Sequence, residues 1–142
     1  LTPGSRLLFL SHAITYSIDK AMESNNHLIL VDSYWYKYFA TEKALGANEN
    51  MIKALIELFP EPDLVIELQL PVNKAAQRKK HFSHYECGLN DLCNQDSFLS
   101  FQSKVKNEWE MFDRSNWKSV DAQLPELEVL EQVMEIIKSN IS

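Results

Sequence analysis

Apolar residues recur at three- and four-residue steps through residues 5–24, at Leu7, Leu10, Ile14, Ile18 and Ala21. This spacing predicts a helix with one buried stripe. Pro3 and Gly4 punctuate its start, and the polar Glu23-Ser24-Asn25-Asn26 ends it. The pattern then changes. His27-Leu28-Ile29-Leu30-Val31-Asp32 is a short continuous apolar run with polar neighbours, which suits a strand buried on both faces of a parallel sheet. Residues 33–46 are aromatic-rich, then helix-like, with Gly46 as the stop. Met51, Leu55, Ile56 and Leu58 mark another helix over 50–59, broken by Pro60-Glu61-Pro62-Asp63. A second strand is expected over 64–70, and Pro71 suits the first turn of a helix over 72–80. Residues 81–96 carry no period and are expected to form a mobile loop. Phe98, Phe101, Val105, Trp109 and Phe112 predict an amphipathic helix over 97–112. A short third strand over 117–121 and a final helix over 124–137 follow.

Strands alternating with helices predict an α/β domain, a parallel sheet with flanking helices. A length of 142 residues suits one domain, with the loop at 81–96 as the only excursion. Charge narrows the function. Fourteen Lys and Arg against twenty Asp and Glu leave a net −6, which disfavours a non-specific nucleic-acid binder. No apolar run approaches the roughly 20 residues of a membrane span, and residues 1–6 lack a secretory pattern. Two cysteines do not make a disulfide framework, so reduced thiols and a cytoplasmic location are expected.

Ligands of open α/β sheets bind at the carboxyl ends of strands. Asp32 and Asp121 end the first and third predicted strands. Either acid could hold Mg²⁺ or a substrate hydroxyl, or simply cap the next segment. The aromatic run Tyr34-Trp35-Tyr36-Lys37-Tyr38-Phe39 could stack on a base or form a helix face in the core. His81, His84, Cys87 and Cys93 have zinc-ligand chemistry in one uneven run, for which a plain loop is the alternative. No Gly-x-x-x-x-Gly-Lys-Ser/Thr, Gly-x-Ser-x-Gly, His-Glu-x-x-His or Gly-x-Gly-x-x-Gly occurs, so no complete catalytic constellation is present.

Taken in order, the segments resemble the thymidylate kinases, nucleoside monophosphate kinases that move a phosphoryl group from ATP to dTMP. The resemblance covers nearly the whole chain but only the C-terminal two-thirds or so of such an enzyme. Leu7-Leu8-Phe9 resembles the opening of a helix that carries a thymine-stacking Phe, at Phe9. Leu30-Val31-Asp32-Ser33-Tyr34 resembles the Asp-Arg-Tyr signature, which implies Asp32 beside the nucleotide phosphates and metal and Tyr34 near the substrate. Pro62-Asp63-Leu64-Val65, Leu68-Gln69-Leu70, Ala75-Ala76 and Arg78 resemble the next strand and the helix leading to a lid. Tyr85-Glu86-Cys87-Gly88 resembles a Tyr-Glu-x-Gly lid motif, implying that Tyr85 and Glu86 close over the nucleotide. Trp117-Lys118-Ser119-Val120-Asp121-Ala122 resembles the last strand, whose following loop touches adenine.

The departures are also ordered. The phosphate-binding Arg four residues after the stacking Phe is Ala13, the Arg of Asp-Arg-Tyr is Ser33, and an Arg before Tyr-Glu is His84. Ala and Ser cannot replace a bidentate guanidinium, and His can only when protonated. The family's phosphate-binding loop, on which phosphoryl transfer depends, is absent from the sequence. In the family's sheet the loop-bearing strand lies between those matching 28–31 and 64–70, so its absence exposes two unpaired edges. Either further sequence precedes residue 1, or the two strands close up, or another chain fills the gap; a first residue of Leu rather than Met favours the first. The resemblance thus implies the P-loop nucleoside monophosphate kinase fold without its N-terminal strand and loop. It implies nucleotide ligands, with ATP and Mg²⁺ only if the missing segment is present, and a homodimer through the helix at 5–24. The chain alone is expected to be inactive or impaired. The alternative is a catalytically dead relic that binds a nucleotide or a partner.

Overall fold

In the computed structural model, which describes residues 1–141, helix α1 (Pro3–Met22) begins two residues before the expected start at residue 5. The cause is local. Thr2 Oγ1 accepts from the Ser5 N–H at 3.2 Å, and Pro3 occupies the first turn, where its missing N–H costs nothing. The described residues divide into two compact units, 1–60 with 103–112, and 61–102 with 113 onward.

The first unit packs α1 on α2 (Trp35–Ala44) and α3 (Glu49–Ile56). Gly46 ends α2 at φ 98°, a conformation favourable only to glycine. Its N–H bonds to the Lys43 carbonyl and that of Ala47 to the Glu42 carbonyl, both at 2.9 Å, the paired bonds of a Schellman ending. Asn48 caps α3, its Oδ1 accepting from the N–H groups of Asn50 (2.9 Å) and Met51 (3.1 Å). The core is largely aromatic. Trp35, Phe39, Phe59 and Phe112 are buried, with Trp35 edge-on to Phe112 at 5.4 Å and Phe39 edge-on to Phe59 at 5.6 Å. For Trp35 and Phe39, the core alternative of the aromatic run therefore holds. Leu7, Ile52 and Val105 complete this core. Within it Glu42 is fully buried, gripped by the Arg6 guanidinium through Nε to both carboxylate oxygens and Nη2 to one, each at 3.1 Å. A planar fork on a carboxylate is the geometry that best offsets the desolvation of such a pair.

The apolar run before Asp32 is not a strand. Among the described residues it pairs with no neighbour, and Leu28, Ile29, Leu30 and Val31 are exposed. An extended backbone becomes a strand only where another supplies its hydrogen bonds, and none does so here.

The second unit contains the sheet. β1 (Ile66–Gln69) pairs in parallel with β2 (Lys118–Asp121), Leu68 opposite Val120 and Gln69 opposite Asp121. Val120 is buried, and α6 (Glu126–Asn140) packs on β2. The architecture is the expected α/β class, a parallel sheet with flanking helices, reduced to two strands among the described residues. α4 (Val72–Arg78) follows β1. α5 (Gln95–Glu108) belongs to the second unit through Gln102 and to the first from Ser103, and a 3₁₀ turn (Trp109–Met111) follows it. Asn94 and Ser97 cap α5 reciprocally: the Ser97 N–H donates to Asn94 Oδ1, and the Asn94 N–H donates to Ser97 Oγ, both at 2.9 Å. Ala76, Cys87 and Phe98 form a second small core, with Val72, Phe82, Cys93 and Leu99 packed around it.

Cys87 and Cys93 are disulfide-bonded, which corrects the expectation of reduced thiols. The same bond removes the zinc reading. Zinc needs thiolates, both sulfurs are committed to each other, and no metal-holding cluster of His, Cys, Asp or Glu exists among the described residues.

Candidate functional site

α1 buries only Leu7 and Ser11, both in its first half. The stripe predicted as wholly buried therefore splits. Leu10, Ile14 and Ile18 are half-exposed and form one wall of an open groove of about 270 Å³. Ala13 and Ser17 lie in the same wall, and Val31, Asp32, Ser33, Tyr34 and Tyr38 close the other side. Two expected site residues, Asp32 and Tyr34, thus meet in one place, and the positions of both lost helix and turn arginines, Ala13 and Ser33, line it too. Phe9 does not; it is 67% exposed on α1 and is not among the groove's lining residues.

The turn that builds the groove is sharp. Ser33 adopts φ 55°, left-handed and uncommon for a residue other than glycine. Its hydroxyl donates to Asp32 Oδ1 at 3.2 Å, and the Asp32 side chain is otherwise open to solvent. Tyr34 is anchored: its hydroxyl donates to the Pro60 carbonyl at 2.9 Å, and its ring meets Phe59 edge-on at 5.9 Å. Burial, and secondarily the neighbouring Tyr36, pushes the Tyr34 hydroxyl up to about 12. It therefore stays a donor and gives no base at neutral pH. Asp32 is the only charged group in the lining; no Lys, Arg or His is present. Such a groove favours an uncharged ring with hydroxyls, which Asp32 can accept, over a phosphate, which Asp32 repels. One exposed carboxylate also makes no magnesium site by itself, because Mg²⁺ is completed by substrate phosphates. The residues present therefore do not fit a bound ATP–magnesium group on their own.

The second candidate cluster lies in the other unit, on a turn over 84–89. Glu86 receives the Lys79 ammonium at 2.7 Å, the Ser83 N–H at 3.0 Å and the Ser83 hydroxyl at 2.9 Å. Partial burial opposes ionisation of Glu86, but these donors and the Lys79 charge outweigh it and hold the carboxyl below its usual range. Tyr85 beside it is half-buried, while His84 and His81 are exposed. Gly88 closes the turn at φ 74°, and a Cβ there would lie 2.6 Å from the Phe101 ring, so both conformation and space demand glycine. Asp121 forms a local turn after β2, its Oδ1 accepting the Gln123 N–H at 2.8 Å, and it does not cap α6, whose N-cap is Pro125. Tyr38, from the aromatic run, also lines the groove, whereas Ser17 was missed; its signal was the spacing of 10, 13, 14, 17 and 18 along one face of α1.

No family model matches the chain. Individual relatives do. "Probable thymidylate kinase 1" of Saccharolobus solfataricus is 35% identical over 115 residues, 80% of this chain and 56% of that protein. "Probable thymidylate kinase" of Sulfolobus acidocaldarius is 31% identical over 139 residues, 96% of this chain and 68% of that protein. The namesake in Metallosphaera sedula is 31% identical over 144 residues, 92% of this chain and 66% of that protein. The chain thus spans between about half and two thirds of the length of these curated relatives. The Sulfolobus protein matches at 31% identity across 96% of this chain. With the Asp-x-Tyr turn, the Tyr-Glu-x-Gly turn and the parallel strands in the family's order, that match makes the chain a member of the thymidylate kinase family.

Proposed function

We propose that the chain is the base- and sugar-binding part of a thymidylate-kinase-like protein that transfers a phosphoryl group from ATP to a pyrimidine nucleoside monophosphate such as dTMP. ATP and Mg²⁺ enter this reading only with a phosphate loop that these 142 residues do not contain. Asp32 helps hold phosphate and metal in that setting, Phe9 and Tyr34 contact the base and sugar, and Tyr85 with Glu86 belongs to a lid over 81–96. The whole chain acts as one kinase-like domain, dimeric through α1, with a cytoplasmic location and no nucleic-acid partner. Among the described residues, no helix is long and apolar enough to cross a membrane. The observation that carries the reading is the groove where Asp32 and Tyr34 meet Ala13 and Ser33, free of any cation.

The chain alone is then expected to bind thymidine more tightly than dTMP, because Asp32 repels the phosphate, and to form no ADP. Thermal shift with each ligand checks the first, since a ligand stabilises only the state that binds it. Ala13→Arg, at an exposed helical position, restores a phosphate fork and should tighten dTMP roughly tenfold while leaving thymidine unchanged. Robust, dTMP-selective ADP formation by the unmodified chain would overturn the proposal. The alternative is a relic that binds nucleosides without chemistry, and the same lack of cations favours it. Phosphoryl transfer by a version carrying a phosphate loop would count against that alternative.

A further inference from the structure

The disulfide closes a ring from Cys87 to Cys93, and three features of that ring converge. Its two sulfurs differ in access: Cys87 is fully buried against Ala76 and Phe98, whereas Cys93 is half-exposed beside Leu92, which is 72% exposed. Leu89 inside the ring sits at φ 60°, an outlier for a bulky side chain. The residue before the ring is Glu86, whose backbone carbonyl accepts from Gln102 Nε2 at 2.9 Å and whose carboxylate fixes the turn to Lys79 and Ser83. The bond thus holds an unfavourable conformation beside the two residues of the Tyr-Glu turn.

We propose that Cys87–Cys93 is an exchange site for an external dithiol, attacked at Cys93, and that opening it loosens the turn carrying Tyr85 and Glu86. The incoming thiolate bonds to Cys93 Sγ. The S–S bond breaks, and its electron pair leaves with Cys87, which takes a proton and stays in its apolar pocket as a thiol. The second thiolate of the dithiol then attacks its own partner sulfur in the mixed disulfide. Cys93 is released as a thiolate, and the dithiol is oxidised by two electrons. Access selects Cys93 as the sulfur attacked. Apolar surroundings make Cys87 a reluctant leaving group, so the exchange is slow. Once the ring is open, Leu89 can relax, and the turn is left to its hydrogen bonds: the Glu86 contacts and the backbone bonds of Cys87, Gly88 and Leu89 to Ser83, Tyr85 and His84. A consequence for nucleotide closure rests on the lid reading above; the exchange does not.

The test uses the full chain, oxidised and then treated with glutathione, a monothiol that arrests exchange at the mixed disulfide. Chymotryptic peptides, cut between the cysteines at Leu89 or Leu92, should carry the adduct on Cys93. Reduction with dithiothreitol should raise amide exchange in residues 84–93 at least tenfold and leave residues 3–22 unchanged. The double variant Cys87→Ser with Cys93→Ser should match the reduced protein in oxidising buffer. An adduct on Cys87, unchanged exchange at 84–93, or a rise throughout including 3–22 would each overturn the proposal, the last by showing a global staple. Binding of thymidine, measured separately, tests the groove and is independent of these outcomes.

Discussion

At the scale of single residues, Glu42 is a charged group held inside the core. It is fully buried, and the Arg6 fork faces it. Arg6→Met should cost about 3–5 kcal/mol in denaturant unfolding, because it strands a buried carboxylate. Arg6→Met combined with Glu42→Leu should recover most of that loss, since a buried pair and an apolar pair of similar volume are often near-neutral. Equal destabilisation by the single and double variants would show that Arg6 acts through packing alone. Tyr34 gives a second residue-scale prediction. Burial raises its hydroxyl from 10.0 to about 12, so the folded state holds the proton longer than the unfolded chain. The stability this contributes is complete below pH 10 and is lost as pH rises toward about 12. Tyr34→Phe should flatten that alkaline limb relative to the unmodified chain, and an identical slope in both proteins would remove the assignment.

At the scale of elements, local chemistry was legible and pairing was not. Gly46 was readable as a helix stop because its backbone requirement is local, and the structure supplies the expected left-handed residue. The helices fell within a few residues of their spacing because an amphipathic period is also local. The apolar run at 28–31 was read as a strand from hydrophobicity alone, and a strand is a property of two segments. The disulfide was missed for a similar reason: spacing six residues apart permits it, but only the buried pocket around Cys87 brings the sulfurs together. The exposed run has a measurable consequence. Four adjacent apolar residues with unpaired backbone are a template for pairing with other chains. Leu30, 87% exposed, has the least to lose on substitution. Leu30→Lys should change unfolding stability by less than about 0.5 kcal/mol. It should also slow light-scattering aggregation at elevated concentration. Aggregation at the original rate would mean another surface is responsible.

At the scale of the molecule, the proposed dimer rests on the exposed face of α1. Only Leu7 and Ser11 on this 20-residue helix are buried, while Leu8, Phe9, Tyr16 and Met22 are exposed. Of these, Phe9 and Tyr16 lie seven residues apart and nearly in line along the helix, with Leu8 and Met22 on the adjoining side, so the exposed apolar surface is one broad face. Large apolar side chains lined up on one face mark an association surface, and a second copy of the same helix is the self-complementary partner. The proposed dimer therefore predicts sedimentation at twice the chain mass at micromolar concentration, with a melting temperature that rises with concentration. Leu8→Glu with Tyr16→Glu should give a monomer. The two side chains are outside the core, so the monomer should keep its helix content by circular dichroism while losing the concentration dependence. A species that stays monomeric at a hundredfold higher concentration would assign this face to a different partner. Phe9 would then be the residue to revisit, because its exposure on that face fits association as well as it fits base contact.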